Sequence, residues 1–193
     1  HDHPVSDTLQ SRRLYLCLLF MPLIRTSHDG DLAAITAIYA HHVLHGTGTF
    51  EIDPPSAADM AARRAEVLAR GLPWLVAEEG GQVLGFTYAN WFKPRPAYRF
   101  SAEDSVYVAD GARGMGLGRA LLTALAAHAE AAGVRQLMAV IGDSANEGSI
   151  ALHRSLGFTE VGVMHAVGWK HGAWRDIVLM QRPLGSGSAT SPE

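Results

Sequence analysis

The stretch "SVYVADGARGMGLGRALLTALAAHAEAAG", residues 105–133, decides the fold of this chain. A run typical of a strand enters a loop with four glycines and continues into a segment rich in alanine and leucine. Such loops often bind phosphates, because no side chain blocks the anion and the first helical turn offers unpaired N–H groups. The stretch therefore predicts a strand–loop–helix unit that binds a phosphate-bearing ligand; a merely tight turn is the alternative.

Two known phosphate-binding patterns do not fit this loop. The dinucleotide pattern G-x-G-x-x-G, started at Gly116, meets Leu121 where its third glycine is required. The P-loop pattern has Leu117 in the place of its lysine. What remains is R-x-x-G-x-G over residues 113–118, opening directly into the helix. Arginines within and after this pattern favour a pyrophosphate as the bound group.

The composition indicates one globular domain. Of the 193 residues, 48% are hydrophobic and 18% charged, enough apolar chain for a sizeable core. A net charge of -3 argues against a broad nucleic-acid-binding face. No apolar run reaches the roughly 18 residues that a membrane span needs. The single cysteine, Cys17, excludes an intrachain disulfide and favours a cytoplasmic location.

The ends of the sequence differ in character from the middle. Residues 1–20 contain "RRLYLCLLF", which has the charge pattern of a short signal peptide but no small-residue cleavage site after it. We expect 1–20 to be a disordered extension and 21–184 to be the domain. Residues 185–193, "GSGSATSPE", have linker composition and are expected to be disordered.

Hydrophobic periodicity and turn residues predict seven strands and four helices in the order β-α-α-β-β-β-α-β-α-β-β. The strands are predicted at 23–26, 74–77, 83–90, 105–108, 135–141, 158–167 and 174–181, and the helices at 31–45, 56–70, 117–132 and 146–156. This order favours an α/β domain with a central mixed sheet, mostly antiparallel, flanked by helices.

Two motifs of the chain resemble those of a known family. The R-x-x-G-x-G loop after "VYV", followed about thirty residues later by "NEGSIALHRSLGF", is similar to the GCN5-related N-acetyltransferases (GNAT). "PWLVAE", "YANWFKPRPAY", "SAEDSVYV", "AVIG" and "GWKHGAWRDI" resemble the phosphinothricin and methionine sulfoximine acetyltransferases among them. His153 replaces a tyrosine common in the wider family, but that subgroup also carries histidine. The similarity covers residues 21–184.

The resemblance implies the GNAT fold, acetyl-CoA as co-substrate, no metal, a small amine as acceptor, and a homodimer. In such enzymes the pyrophosphate lies on the glycine loop, and a backbone N–H, here that of Val108, faces the thioester oxygen. Positions at the start of the last helix contact the pantetheine or adenosine arm. The expected cofactor-binding residues are Val106, Val108, Arg113, Gly114, Gly116, Gly118, Arg119, Asn146 and Ser149.

Acetyl transfer to an amine requires a base, because an α-ammonium is mostly protonated near neutral pH. Glu103 in "SAED" is our candidate base, acting through water; a solvated acidic residue in a loop beside Asp104 is the alternative. His153 is the candidate acid for the leaving thiolate, or a second member of a proton relay. A packing residue on an apolar helix is the alternative for His153.

The amine acceptor is expected to bind between "TGTFEI" and "WFKPRPAYRF". The resemblance suggests Phe50 and Tyr98 as apolar walls, and Lys93 and Arg95 as partners of anionic groups. An arginine binds a carboxylate through two hydrogen bonds, which suits an amino acid. A basic surface loop is the alternative, and Tyr107 could contact either the substrate or the core.

Several features stay outside this hypothesis. Lys170, Trp174 and Asp176 are interpreted as structural residues of a hairpin or as a dimer contact. The pattern H-H-x-x-H at 41–45 has histidines at zinc-binding spacing, but lacks the glutamate of H-E-x-x-H and an apparent third ligand, so we predict no metal site. Acetylation of a protein N-terminus, a non-catalytic acyl-CoA-binding module and a nicotinamide oxidoreductase remain alternative functions.

Overall fold

A computed structural model describes residues 22–192 of the chain. The predicted extension at 1–20, with Cys17, lies outside the described residues. The strands are β1 Leu23–Thr26, β2 Trp74–Glu79, β3 Gln82–Trp91, β4 Ser101–Val108, β5 Gln136–Gly142, β6 Thr159–Lys170 and β7 Ala173–Pro183. The helices are α1 Leu32–His45, α2 Ala57–Ala69, α3 Leu117–Ala131 and α4 Glu147–Ser155. The predicted order of elements is confirmed.

The seven strands form one sheet in the order β1-β2-β3-β4-β5-β7-β6. Only β4 and β5 pair in parallel, and the other neighbours pair antiparallel. The predicted mixed, mostly antiparallel sheet is therefore confirmed. Several boundaries differ from the prediction by one to three residues, and β4 differs most, because it begins at Ser101 rather than Ser105. Its polar start is part of the ladder because Ala102 pairs with both Trp91 of β3 and Leu137 of β5.

The parallel pairing of β4 and β5 is short. In the described part of the chain it joins only residues 101–103 to residues 136–138. Both strands continue beyond these pairs, β4 to Val108 and β5 to Gly142. A wedge-shaped gap therefore opens in the middle of the sheet, and this gap positions the site described below.

The two faces of the sheet are covered by different helices. On one face an aromatic cluster forms, in which Trp74 stacks on Tyr88 at 4.2 Å and Tyr107 meets Tyr39 of α1 edge-on at 4.9 Å. On the other face α3 buries Leu117, Leu121 and Leu125, each at most 1% exposed. Burial of such side chains contributes roughly 1.5–3 kcal/mol each. Packing on both faces therefore stabilises the strands that border the gap.

The segment at 185–193, predicted to be disordered, is described up to residue 192 as turns and bends. Leu184 just before it is 2% exposed, and the Arg135 guanidinium donates to the hydroxyls of Ser186 and Thr190. One arginine thus provides several hydrogen bonds to this polar tail, and the disorder expected from its composition stays a prediction. None of the described helices is long and apolar enough to cross a bilayer.

Candidate active site

A cleft of about 1200 Å³ opens at the gap between β4 and β5. It is lined by residues 46–50 of the loop after α1, by residues 103–108, by the glycine loop with the first turn of α3, by residues 140–143, and by the start of α4. Five separate parts of the chain therefore meet in one concave surface large enough for a small molecule.

The glycine loop forms one end of this cleft. Gly114 and Gly116 have φ of 77° and 81°, a left-handed backbone that glycine adopts without cost. A Cβ placed on either residue would meet no atom within 4 Å. Arg113 and Arg119 line the same end. The residues present fit a pyrophosphate, because open backbone, a helix N-terminus and two cations converge there.

Replacing Gly116 with alanine is expected to raise the acetyl-CoA dissociation constant about tenfold. Alanine has room at this position, but the left-handed backbone costs it roughly 1–2 kcal/mol. The loop is expected to avoid this cost by adopting another backbone conformation, which no longer fits the pyrophosphate, and so to lose a similar amount of binding free energy. Titration calorimetry checks this. The matched control is Gly111→Ala, since Gly111 also has open space around a Cβ but no positive φ; equal affinities of the two variants would contradict the expectation.

The backbone of β4 supplies hydrogen-bond donors to the cleft. The Ala109 N–H donates to Leu84 O at 2.8 Å, and β4 pairs regularly with β3 from Ala102 to Val108. Because the groups of an antiparallel strand alternate between its two sides, the N–H groups of Val106 and Val108 point away from β3. They therefore point into the gap, the position that the sequence predicted for the Val108 donor.

His42 is a residue of the cleft that sequence reasoning missed. Its Nε2 lies 2.8 Å from the Val108 carbonyl oxygen, which can only accept, so Nε2 carries the hydrogen. Burial lowers the pKa of His42 and keeps the ring neutral. The helical spacing from Ile35 and Ile38 places position 42 on the buried face of α1, a signal that could have separated it from its exposed neighbours.

The H-H-x-x-H pattern does not assemble a metal site in the structure. His41 and His45 have ring centroids 4.8 Å apart, whereas His42 faces the backbone of β4. Within residues 22–192, no three histidine, cysteine, aspartate or glutamate side chains are grouped closely enough to hold a metal ion.

Glu103 lies on β4 at the floor of the cleft, not in a loop ahead of the strand. By the two-residue period of a strand it shares a face with Tyr107. Burial raises its pKa to about 7, the nearby charge of Asp104 adds to this, and Lys93 opposes it. A carboxyl group that titrates near neutrality is suited to take a proton from an amine.

Asp104 and His153 form a buried pair on the opposite face of β4. The His153 Nε2 and the Asp104 Oδ1 lie 3.1 Å apart, and the two side chains are 2% and 3% exposed. Burial lowers the pKa of His153, but the hydrogen bond and charge of Asp104 outweigh it and raise the pKa overall. The sequence analysis named Asp104 only as the neighbour of Glu103, and the structure shows it buried.

The second nitrogen of His153 is also engaged. Its Nδ1 lies 2.8 Å from the carbonyl oxygen of Ser149, one helical turn earlier, so Nδ1 donates. Both ring nitrogens therefore face protein acceptors. This arrangement ties α4 to β4 across the cleft. The role expected of His153 from the sequence, an acid for the leaving thiolate or a second member of a proton relay, stays a prediction.

Asn146 and Ser149 line the cleft at the start of α4. Asn146 is the N-cap: its Oδ1 accepts from the Ser149 N–H at 3.3 Å, and its Nδ2 donates to Gly142 O at 3.1 Å. The cap fixes the helix N-terminus against the end of β5, which explains why an asparagine stands there.

The predicted substrate residues divide into two groups. Phe50 and Tyr107 line the cleft. Lys93, Arg95 and Tyr98 are exposed and do not belong to its lining, so the structure does not bring them into the predicted pocket. The segment after β3 packs on itself instead: Tyr98 meets the Phe92 ring at 6.0 Å and the Lys93 ammonium lies 5.0 Å from it. Lys93 affects the site through its positive charge, which lowers the pKa of Glu103.

Comparisons with known proteins agree with this geometry. Residues 27–158 match the model of the acetyltransferase (GNAT) family. The chain is 54% identical to a phosphinothricin N-acetyltransferase of Alcaligenes faecalis (88% of this chain, 86% of that one). It is 43% identical to an L-methionine sulfoximine/L-methionine sulfone acetyltransferase of Pseudomonas paraeruginosa (83% and 94%).

A solved structure extends this agreement to the fold. The phosphinothricin acetyltransferase of Sinorhizobium meliloti, solved in complex with AcCoA, superposes with a TM-score of 0.87 at 48% identity, over 90% of this chain and 94% of that one. The glycine cradle, the gap between β4 and β5 and the partly buried Glu103 thus occur in a chain that matches this family in sequence and in structure. We conclude that the chain belongs to the GNAT acetyltransferase family and is an acetyl-CoA-dependent N-acetyltransferase.

Proposed function

We propose that the protein acetylates the amine of a small L-amino acid or analogue of the phosphinothricin, methionine sulfoximine or methionine sulfone type. The observation that carries the proposal is Glu103, a carboxyl group with a pKa of about 7 at the floor of the cleft. The substrates named for the relatives at 54% and 43% identity support this acceptor class.

In the proposed reaction the amine attacks directly. Acetyl-CoA supplies the acetyl group as a thioester, whose C–S bond breaks as the new C–N bond forms. Glu103 accepts the proton that the amine loses, directly or through one water. The Val108 N–H donates to the oxygen on which charge develops, and a donor fixed in a strand needs no reorganisation at that moment.

Around this centre, Arg113, Gly114, Gly116, Gly118 and Arg119 bind the pyrophosphate. The pantetheine arm lies along Val106 and Val108 on one side and Asn146 and Ser149 on the other. Support comes from the position of all these residues along one cleft.

Five residues have further proposed roles around the centre. Phe50 and Tyr107 form the walls of the acceptor pocket, and Lys93 contributes a positive charge at its mouth. His42 holds Val108 in place, and His153 acts as a positioning residue rather than an acid, since both its nitrogens are bonded.

An acetylation assay on an amine panel tests the proposal. Release of free thiol from acetyl-CoA is followed with phosphinothricin, methionine sulfoximine, methionine sulfone, the common L-amino acids and short peptides. We expect turnover with at least one small amino acid analogue. If no amine of the panel is acetylated although calorimetry shows that acetyl-CoA binds, the proposal is contradicted, and the alternative of a non-catalytic acyl-CoA-binding module is favoured.

A protein N-terminus is the second candidate acceptor. The observation in its favour is that the exposed segment at 91–100 does not line the cleft, so its aromatic residues leave the mouth open to a longer chain. The peptides in the panel decide between the two: kcat/KM higher for peptides than for free amino acids would select this candidate.

We further propose a homodimer in the cytoplasm. Five large apolar side chains of the β6–β7 hairpin are 44–64% exposed, a patch suited to a second copy: Val161, Met164, Val167, Trp169 and Trp174. Equilibrium sedimentation distinguishes a monomer of 20.7 kDa from twice that mass. The single cysteine suits a reducing compartment, and cell fractionation tests this location.

A further inference from the structure

The turn between β6 and β7 lies against the loop that carries Phe50. Its central residues, His171 and Gly172, have φ of 54° and 70°, the two left-handed residues of a type I′ hairpin turn. Lys170 and Ala173 pair on either side of it. The motif "GWKHGAW" therefore folds into a tight turn, and its side chains reach back to residues 46–50.

Two side chains of this turn hold backbone carbonyls of that loop. The Lys170 Nζ donates to Thr49 O at 2.7 Å, and the His171 Nε2 lies 3.2 Å from Gly46 O. Lys170 is only 3% exposed, unusual for a lysine. Burial lowers its pKa, partly opposed by the charge of Glu51. A buried ammonium whose hydrogen bond goes to this loop fixes the loop more firmly than a neutral donor would.

The Phe50 ring occupies space that two glycines leave free. A Cβ on Gly142 at the end of β5 would lie 2.6 Å from the Phe50 Cε1, and a Cβ on Gly168 of β6 would overlap the same ring. Neither glycine has a positive φ, so close approach of the ring, not backbone conformation, requires the missing side chains. The ring is therefore seated on the β6–β7 side of the cleft.

The other side of the loop is held by α1 and α2. The Tyr39 hydroxyl lies 3.0 Å from the Thr49 Oγ1 and donates to Glu51 at 2.8 Å. Arg63 binds both oxygens of the same carboxylate, at 2.6 and 3.2 Å. Thr49 is thus held through its hydroxyl from the helices and through its carbonyl by Lys170. Loss of Lys170 removes the buried hydrogen bond on the side of the turn and leaves the exposed His171 contact to Gly46 O as the polar contact there.

We propose that Lys170 and Gly168 are positioning residues that fix the Phe50 wall of the acceptor pocket and thereby set the affinity for the amine. This inference rests on the proposed function, in which the amine binds beside Phe50. The acetyl-CoA site lies at the other end of the cleft, on the glycine loop. Disturbing the turn therefore weakens amine binding while acetyl-CoA binding stays as it is.

The test compares Gly168→Ala with Gly162→Ala. Both glycines lie on β6 without a positive φ, but a Cβ on Gly162 meets no atom within 4 Å. Gly168→Ala is expected to raise the KM for the amine about tenfold to a hundredfold, the equivalent of one lost buried aromatic contact. The KM for acetyl-CoA stays within about twofold, and Gly162→Ala resembles the wild type in both constants.

Lys170→Met provides the second variant, with Arg154→Met, which removes an exposed cation outside the cleft, as its control. Hydrogen exchange of the amides at 46–51 is the readout that does not need turnover: we expect faster exchange in Lys170→Met and Gly168→Ala than in either control. Unchanged exchange and amine KM in both variants, or a parallel rise of the acetyl-CoA KM, would overturn the inference. Absence of wild-type turnover rejects the proposed function, while the exchange data still decide the role of Lys170.

Discussion

Glu103→Gln is expected to lower kcat by about a hundredfold to ten-thousandfold, the usual contribution of a general base. Glutamine keeps the size and shape of the side chain at the cleft floor but cannot accept the amine proton. The acetyl-CoA dissociation constant should change less than about twofold, because Glu103 lies apart from the pyrophosphate cradle. Steady-state kinetics measure the fall in kcat, and calorimetry measures the acetyl-CoA dissociation constant. Glu160→Gln, at an exposed position of β6, serves as the matched control.

The pH profile separates a base from a residue that only binds substrate. Since burial raises the pKa of Glu103 to about 7, kcat/KM of the wild type should fall about tenfold per pH unit below 7. The amine itself also titrates, but it does so equally in both proteins. The ratio of wild-type to Glu103→Gln activity should therefore rise with pH up to about 7 and be constant above it. A ratio that is constant from pH 5 to 9 would exclude Glu103 as the base.

The same pKa has a consequence for stability. A carboxyl group whose folded pKa is raised from 4.5 to about 7 destabilises the fold increasingly as pH rises between those values. Glu103→Gln removes that cost, so the variant should match the wild type near pH 4 and exceed its stability near pH 8. Urea unfolding at the two pH values gives this comparison without any assay of turnover.

Breaking the buried pair by His153→Leu is expected to lower the free energy of unfolding by about 3–5 kcal/mol at pH 7. The change leaves the Asp104 carboxylate buried without its partner. Asp104 Oδ2 already has no hydrogen-bond partner among the described residues, so Oδ1 would lose the one it has. Urea unfolding measures the loss.

The double variant Asp104→Val/His153→Leu provides the control for this prediction. It removes both charges, so it should be more stable than His153→Leu alone. Burial raises the pKa of Asp104, so its carboxyl takes up a proton in the folded chain above the usual aspartate pKa of about 3.9, and the deficit of His153→Leu should shrink as pH falls towards that value. Strict additivity of the two single changes would show that the side chains do not interact.

The residues that sequence reasoning placed correctly are those whose roles are local. The glycine loop adopts its left-handed turns and opens into α3 within a few residues, so a short stretch contains the reason for its own geometry. Asn146, where the last helix was predicted to begin, caps α4 through a contact three residues away. The order of helices and strands along the chain followed from periodicity and turn residues for the same reason. Such features could be predicted because nothing distant is needed to form them.

The sequence analysis missed contacts between distant parts of the chain. Asp104 was noted only as the neighbour of Glu103, yet α4, some fifty residues later, buries it under His153. His42 was considered only as a metal ligand. In each case the contact depends on which strands and helices are neighbours in the folded chain. No short sequence pattern contains that information.

The sequence by itself thus determined the strand–loop–helix unit, the order of elements and, through resemblance, the family and its co-substrate. Only the tertiary structure decided how far β4 and β5 separate, which carboxyl group is desolvated enough to titrate near pH 7, and that Lys170 holds the loop of Phe50. The physical reason is that backbone conformation depends on neighbours in the chain. Burial, and with it protonation and the shape of the pocket, depends on neighbours in space.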